Sequence, residues 1–370
     1  MAWEIDVEAC RGRQRRLIEV LQSKGAEAAI ITRREQIQWL TGLYYAPTFE
    51  PIVALLASGH LIAALPARRL EPIPTVDELH GYDAQLHSTL RNDQRQAASA
   101  VLVEALKAHP PLKKIGVEFS MFPVHLSRPL GAELVDIEPD LYRLRRRKDR
   151  DELKSLGIAI EATRQMYVRA REIIRPGISE LEVFNELQAT AVQVCGEMLT
   201  GTGNDYQCGS RGGAPRQGRV AQDGELYVLD LGPAYRGYFA DNCRVIAVNG
   251  KPTAAQQSAW QRIVEVLDMV QSEAKPGTSC RAIFERAQQM LDKALPAAKF
   301  DHHLGHGIGL YPHEAPHLNP NWDDTFEVGD VFTAEPGLYG PDLHAGIRLE
   351  NDYRITESGC ELLTDFPLEL

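Results

Sequence analysis

Apolar positions recur at helical spacing near the start of the chain. Leu17, Val20 and Leu21 lie within Arg13–Lys24 and Gly25 follows as a stop, which predicts a helix there. Ala28–Thr32 is a short apolar run that reads as a strand. Gln38–Leu43 leads into a loop holding Pro47 and Pro51, and Ile52–Leu56 and Leu61–Leu65 flank Ala57-Ser58-Gly59-His60 as the two arms of a hairpin. Gln96–Ala108 predicts a further helix before Pro110 and Pro111, and Lys114–Val117 a further strand. Helices and strands mixed in this way predict a separate α/β domain over residues 1–144.

The pattern changes at a basic run near Arg145, where the boundary to a second domain, residues 145–370, is placed. Asp149–Ile173 carries Leu153, Leu156, Ile160, Met166 and Ile173 and predicts a long helix. Arg175-Pro176-Gly177-Ile178-Ser179 then returns as Lys275-Pro276-Gly277-Thr278-Ser279. In each copy Pro-Gly supplies a turn and the serine a helix cap, and Ser179 with Glu182 has capping-box spacing. Two such copies suggest a duplicated half-domain. Glu225–Leu231 reads as an apolar strand ending on Asp230, Gly232–Gly237 as a turn and Tyr238–Val248 as the returning strand, so that Asp230 and Asp241 face each other across a hairpin. Glu335 in Thr333–Gly337 and Glu350 in Ile347–Glu350 also stand in or at the end of apolar strands.

Composition narrows the class without adding a site. Apolar residues at 44% and charged residues at 25% over 370 positions are ordinary values for a folded protein of two domains. A formal net charge of −11 argues against nucleic-acid binding, and Arg143–Arg150 reads as a solvated linker or helix start. The six cysteines show no C-x-x-C spacing, which points away from thiolate zinc and disulfides and toward a reducing, cytoplasmic setting. No run of about eighteen apolar residues predicts a membrane span. In the first domain His60, His80, His87, His109 and His125 lie apart in the sequence and form no constellation.

Candidate chemistry sits in Asp301–Pro316, D-H-H-L-G-H-G-I-G-L-Y-P-H-E-A-P, where glycines on both sides of His306 remove Cβ atoms that would crowd a ligand. A charged carboxylate inside an apolar strand is costly to bury unless it is paired or bound to a metal. Asp230, Asp241, Glu335 and Glu350, together with His306, supply four carboxylates and one imidazole. Four negative charges would balance two divalent cations, and this oxygen-rich set suits Mn²⁺, Fe²⁺, Co²⁺ or Zn²⁺. Such a pair of ions can activate a shared water and polarise the bond it attacks.

The segments L-D-L-G with Tyr238-Phe239-Ala240-Asp241, G-H-G-I-G-L-Y-P-H-E, A-E-P-G-L-Y and I-R-L-E resemble the pita-bread, M24-type metallopeptidase family. That family includes aminopeptidase P, prolidase, methionine aminopeptidase and the metal-free creatinase. Trp39-Leu40-Thr41-Gly42 extends the likeness to members with an extra N-terminal domain. The resemblance implies an α+β protein in which a creatinase-like α/β domain precedes a pita-bread domain with duplicated halves. It further implies Asp230, Asp241, His306, Glu335 and Glu350 as metal ligands, with Glu335 also orienting the water. His313 would contact the scissile group, Arg348 would hold substrate, and a homodimer is expected. His302, four residues before His306, is a candidate catalytic or positioning group. One departure is that Gly213-Ala214-Pro215-Arg216 stands where the family usually carries Pro-His. Arg216 there would bind a substrate anion, because a guanidinium cannot exchange a proton near neutral pH. The leading expectation is a metal-dependent Xaa-Pro aminopeptidase or dipeptidase acting on short peptides. The alternative is a creatinase-like C–N hydrolase or lyase acting on a small, anionic molecule.

Overall fold

The computed structural model of the chain describes residues 4–67, 71–293 and 297–370. It divides into two compact units, Met1–Arg145 and Arg146–Leu370.

In the first unit the helix Val7–Lys24 starts on Asp6, whose carboxylate accepts from the Ala9 amide, and ends at Gly25 with φ 63°. Six strands form one mixed sheet in the order Glu78–Tyr82, Leu61–Pro66, Ile52–Leu56, Ala28–Ile31, Lys114–Val117, Glu133–Asp136. The central strands are buried along their whole length, as continuous apolar runs require. The predicted hairpin forms with Ile52 opposite Ala64. The segment read as leading into a loop is instead the helix Arg34–Thr41, which inserts Trp39 and Leu40 fully into the core. A second correction concerns the histidines. Strand pairing and the helix Gln94–Leu106 bring His60, His80 and His109 together around Glu78, although 49 positions separate the outer two.

The second unit repeats itself. The helices Arg150–Ile173 and Glu180–Cys195 accompany a three-stranded antiparallel sheet built around Leu226–Leu231. The helices Ala254–Glu273 and Cys280–Leu291 accompany a five-stranded antiparallel sheet that contains Gly305–Gly307, Val331–Ala334 and Asn351–Thr356. The two Pro-Gly turns use the same bonds. The Gly177 amide donates to the Ala221 carbonyl and the Gly277 amide to that of Phe326, each at 2.8 Å, while Ser179 and Ser279 cap the helices that follow. One apolar core joins the halves, with Val228 and Val245 of the first packed with Ile263, Phe332 and Tyr353 of the second.

The basic run is not a solvated linker. Arg146 makes a two-pronged bond to the fully buried Asp330, at 2.9 and 2.7 Å, and Lys148 is buried against Glu314 at 3.1 Å. Burying those charges demands partners: Asp330 immediately precedes the strand Val331–Ala334, and Glu314 opens the strand Glu314–Leu318 of the same sheet.

Candidate metal centre

Five strand segments of the second unit deliver their acidic and imidazole groups to one place. Asp230 occupies the strand Leu226–Leu231, opposite Cys243 on one side and Asp205 on the other. The predicted return strand breaks into Tyr238–Phe239 and Asn242–Ala247, and Asp241 sits at the break, one residue past the last hairpin pair Leu231–Asn242. His306 is the middle residue of Gly305–Gly307, Glu335 follows Val331–Ala334, and Glu350 stands between Ala345–Arg348 and Asn351–Thr356. The glycines beside His306 are needed for close approach. A Cβ on Gly305 would run into the Thr333 carbonyl, and one on Gly307 into that of Ala315.

All five groups are buried, none more than 8% exposed. His306 Nε2 lies 3.7 Å from Asp241 Oδ2 and 3.5 Å from Glu335 Oε1. Ligand atoms of Asp241, His306 and Glu350 fall within 4.8 Å of one another. With them, His302, His303, His313, Tyr339, Arg348 and Arg211 line a cavity of about 330 Å³.

The electrostatics show what the protein alone leaves uncompensated. Burial, then repulsion from Asp230 and Glu335, pushes the Asp241 carboxyl far above its usual range. Burial, then Asp241 and Asp230, does the same to Glu350. Burial raises Glu335 to about 8, against the opposing pull of Arg348. Among the described residues, both carboxylate oxygens of Glu350 and Oδ1 of Asp230 are buried without any hydrogen-bond partner. Orphaned buried acceptors of this kind call for a cation. Burial also drives His306 well below its ordinary value, and its Nδ1 lies 3.1 Å from the Gly307 carbonyl. An Nδ1–H bond there leaves Nε2 free as a neutral ligand atom. The donor set therefore fits hard or borderline divalent ions.

Residues 154–357 match the metallopeptidase family M24, and residues 13–147 match the Creatinase/Prolidase N-terminal domain. The chain belongs to metallopeptidase family M24. It is 30% identical to the uncharacterized peptidase YqhT of Bacillus subtilis over 242 residues, 65% of this chain and 68% of that one. It is 28% identical to an uncharacterized peptidase of Staphylococcus saprophyticus over 359 residues, 95% of this chain and 98% of the other. The fold is shared with an Xaa-Pro dipeptidase from Bacillus anthracis at a TM-score of 0.81 and 23% identity, covering 98% of this chain and 99% of that one. An X-Pro aminopeptidase from Thermotoga maritima gives 0.78 and 23%, covering 96% and 98%.

Against this M24 framework the other expected site residues divide. His313 is in the cavity, its ring 3.7 Å from that of His306 and nearly parallel to it. Arg348 is in the cavity but already engaged: Nη2 donates to Asp230 at 2.7 Å and also to Asp205, and Nη1 donates to the Tyr339 hydroxyl at 3.2 Å. His302 lies 3.0 Å from that same hydroxyl and 2.7 Å from the His303 carbonyl, so it supports Tyr339 and Arg348 without touching a carboxylate. The structure does not bring Arg216 to the site. Its guanidinium and its amide bond the buried Glu180, at 2.6 to 3.1 Å, and its Nη2 also donates to the Cys208 carbonyl. A carboxylate buried at the start of a helix has claimed the cation, which corrects the substrate-anion expectation.

Several cavity groups escaped the sequence reading, among them His303, Arg211 and Asp205. His303 places Nε2 at 3.3 Å from Glu335 Oε1, closer to the acids than His302 comes. Its adjacency to His302 was the available signal, since successive residues of an extended segment point opposite ways. Arg211 lies on the cavity wall with its guanidinium 4.0 Å from the Tyr339 ring centre and bound to Asp301. Asp205 meets Arg348 because Asp205–Cys208 pairs with the Asp230 strand, a pairing no local pattern signals.

Proposed function

We propose that this M24 metallopeptidase is an Xaa-Pro dipeptidase or aminopeptidase that works with two divalent ions held by Asp230, Asp241, His306, Glu335 and Glu350. The observation that carries the proposal is the set of partnerless buried oxygens on Glu350 and Asp230 at the wall of a cavity of about 330 Å³. Such ions, when bound, supply water activation at neutral pH and polarisation of the bond attacked. Manganese, cobalt, zinc and iron all suit this donor set. The Xaa-Pro preference is supported by the two proteins above that share the fold, an Xaa-Pro dipeptidase and an X-Pro aminopeptidase.

The chain's own residues carry the rest. Glu335, at the cavity wall with Oε1 3.5 Å from His306 Nε2, is placed to take the proton of the attacking water and return it to the leaving nitrogen. Arg348 fixes the Asp230 carboxylate through Nη2 and is itself held by Tyr339 and, behind it, His302. Burial keeps His313 neutral more readily than a free imidazole, so it can donate a hydrogen bond to the substrate carbonyl without adding charge. A cytoplasmic homodimer is part of the same proposal, supported by the six cysteines, none of which forms a disulfide among the described residues, and by the family resemblance of the sequence. The creatinase-like alternative rested on Arg216, which Glu180 holds elsewhere.

The test is hydrolysis of a panel of Xaa-Pro and Xaa-Ala dipeptides and longer peptides after chelation and restoration of each ion. We expect cleavage only with metal, and kcat/KM at least about tenfold higher for Xaa-Pro, a difference of roughly 1.4 kcal/mol in transition-state binding. Cleavage of Xaa-Ala with Xaa-Pro left intact would refute the specificity and leave the metal chemistry standing.

A further inference from the structure

The first unit gathers a second set of ligand atoms that the peptidase chemistry does not use. Glu78 and His80 are two residues apart on the strand Glu78–Tyr82, so both side chains stand on one face of the sheet. His60 closes the hairpin turn just before the strand Leu61–Pro66, which pairs in parallel with Glu78–Tyr82. His109 follows the helix Gln94–Leu106. Three segments thus aim Nε2 of three imidazoles at one carboxylate. His60 Nε2 is 3.3 Å and His109 Nε2 2.9 Å from Glu78 Oε2, while His80 Nε2 is 2.6 Å from the other oxygen, Oε1.

We propose that His60, Glu78 and His109 form a transition-metal site, for Zn²⁺ or a cation of similar ligand preference, in the N-terminal unit. Zinc binds imidazole nitrogen and carboxylate oxygen at about 2.0 to 2.2 Å, which places the ligand atoms of a tetrahedron roughly 3.4 Å apart. The three donor atoms here lie within 4.8 Å of one another, and the His60–Glu78 separation of 3.3 Å is already that of a tetrahedral edge. The His60 and His109 ring centres are 5.3 Å apart, and both Nε2 atoms approach the same Glu78 oxygen, Oε2. The side chains are 20 to 38% exposed, so an ion has an entry path and a water can complete the shell. His80 is a positioning residue, because its bond to Oε1 turns Oε2 toward the two ligating imidazoles. Two nitrogens to one oxygen favour Zn²⁺, Ni²⁺ or Cu²⁺ over Mn²⁺, the reverse of the carboxylate-rich centre in the second unit. An ion here would tie the hairpin turn, the edge strand and the end of the helix together, far in sequence from the peptidase ligands.

The experiment uses the full chain carrying Asp241→Asn and Glu350→Gln, which disable the peptidase centre, and titrates it with Zn²⁺ alone by calorimetry after chelation. We expect one Zn²⁺ per chain, lost when His60→Gln and His109→Gln are added, and weakened about tenfold by His80→Gln. Circular dichroism of each variant establishes that it is folded. As a second measurement, in the otherwise native chain, His60→Gln with His109→Gln should remove one Zn²⁺ per chain and leave Mn²⁺-supported peptide hydrolysis unchanged. If no Zn²⁺ binds the chain lacking the peptidase ligands, or if the ion that binds is indifferent to His60 and His109, the cluster is a hydrogen-bonded network around Glu78 and the proposal fails.

Discussion

Arg216 shows how far one residue's role depends on what lies behind it. Glu180 is a fully buried side chain, and Arg216 supplies its countercharge, while the amides of Arg216 and Cys208 donate to the same carboxylate. Burial raises the Glu180 pKa and these bonds more than reverse it, holding it below its ordinary 4.5. Arg216→Ala should therefore cost about 1 to 3 kcal/mol at neutral pH, with the two amide bonds limiting the loss. A depressed carboxylate contributes stability that is present above its unfolded pKa and lost as the pH falls through the folded one. The gap between wild type and variant in urea melts should accordingly be full at pH 6 to 7 and narrow below about 4.5. An Arg216→Ala variant of unchanged stability but altered peptide preference would put the arginine back in the site. The sequence could not separate these outcomes, because residues 209–225 form irregular backbone in which an alignment to the family's usual histidine has no fixed register. The five acidic and imidazole groups were legible for the opposite reason: each stands in or beside an apolar strand, where a charge needs an explanation.

At the scale of elements, the arrangement depends on glycines that do two different jobs. Gly305 lets the His306 strand lie against Val331–Ala334, and any Cβ there meets the Thr333 carbonyl, a backbone atom that cannot swing aside. Gly177 only turns the chain, with φ 91° and open space around it. Gly305→Ala should cost about 3 kcal/mol or more and weaken metal binding, while Gly177→Ala should cost about 1 to 2 kcal/mol and leave metal affinity alone. Thermal melts with and without metal check both. Equal costs, with metal binding intact in each, would mean that the His306 strand has room to move. Elements with local signals were readable, as the two Pro-Gly turns and the Ile52–Leu56 hairpin show. What escaped was set by distant partners. Tyr238–Val248 reads as one strand, yet it breaks at Asp241, where the side chain turns into the cavity. The helix Arg34–Thr41 was hidden because it is only eight residues long and buries Gln36, Gln38 and Thr41 along with its apolar side chains, so burial there does not follow polarity.

For the molecule as a whole, the metal centre couples ion binding to protons. Without an ion, Asp241 and Glu350 are held far above the usual carboxylate range and Glu335 at about 8. A group whose folded pKa is raised contributes stability that is present below its unfolded value and lost as the pH rises through the folded value. For Glu335 that window runs from 4.5 to about 8. A bound divalent ion must displace those protons, so its affinity should fall as the pH is lowered through the same window. Calorimetric titration of the chelated full-length chain with Mn²⁺ reads this directly, since that ion is least drawn to the nitrogen-rich cluster of the first unit. Run near pH 7 in buffers of different ionisation enthalpy, it should give two Mn²⁺ per chain with net proton release, and Glu350→Gln should lose at least one of the two ions. No bound Mn²⁺, or binding that releases no protons and survives Glu350→Gln, would contradict the two-ion centre on which the peptidase reading stands.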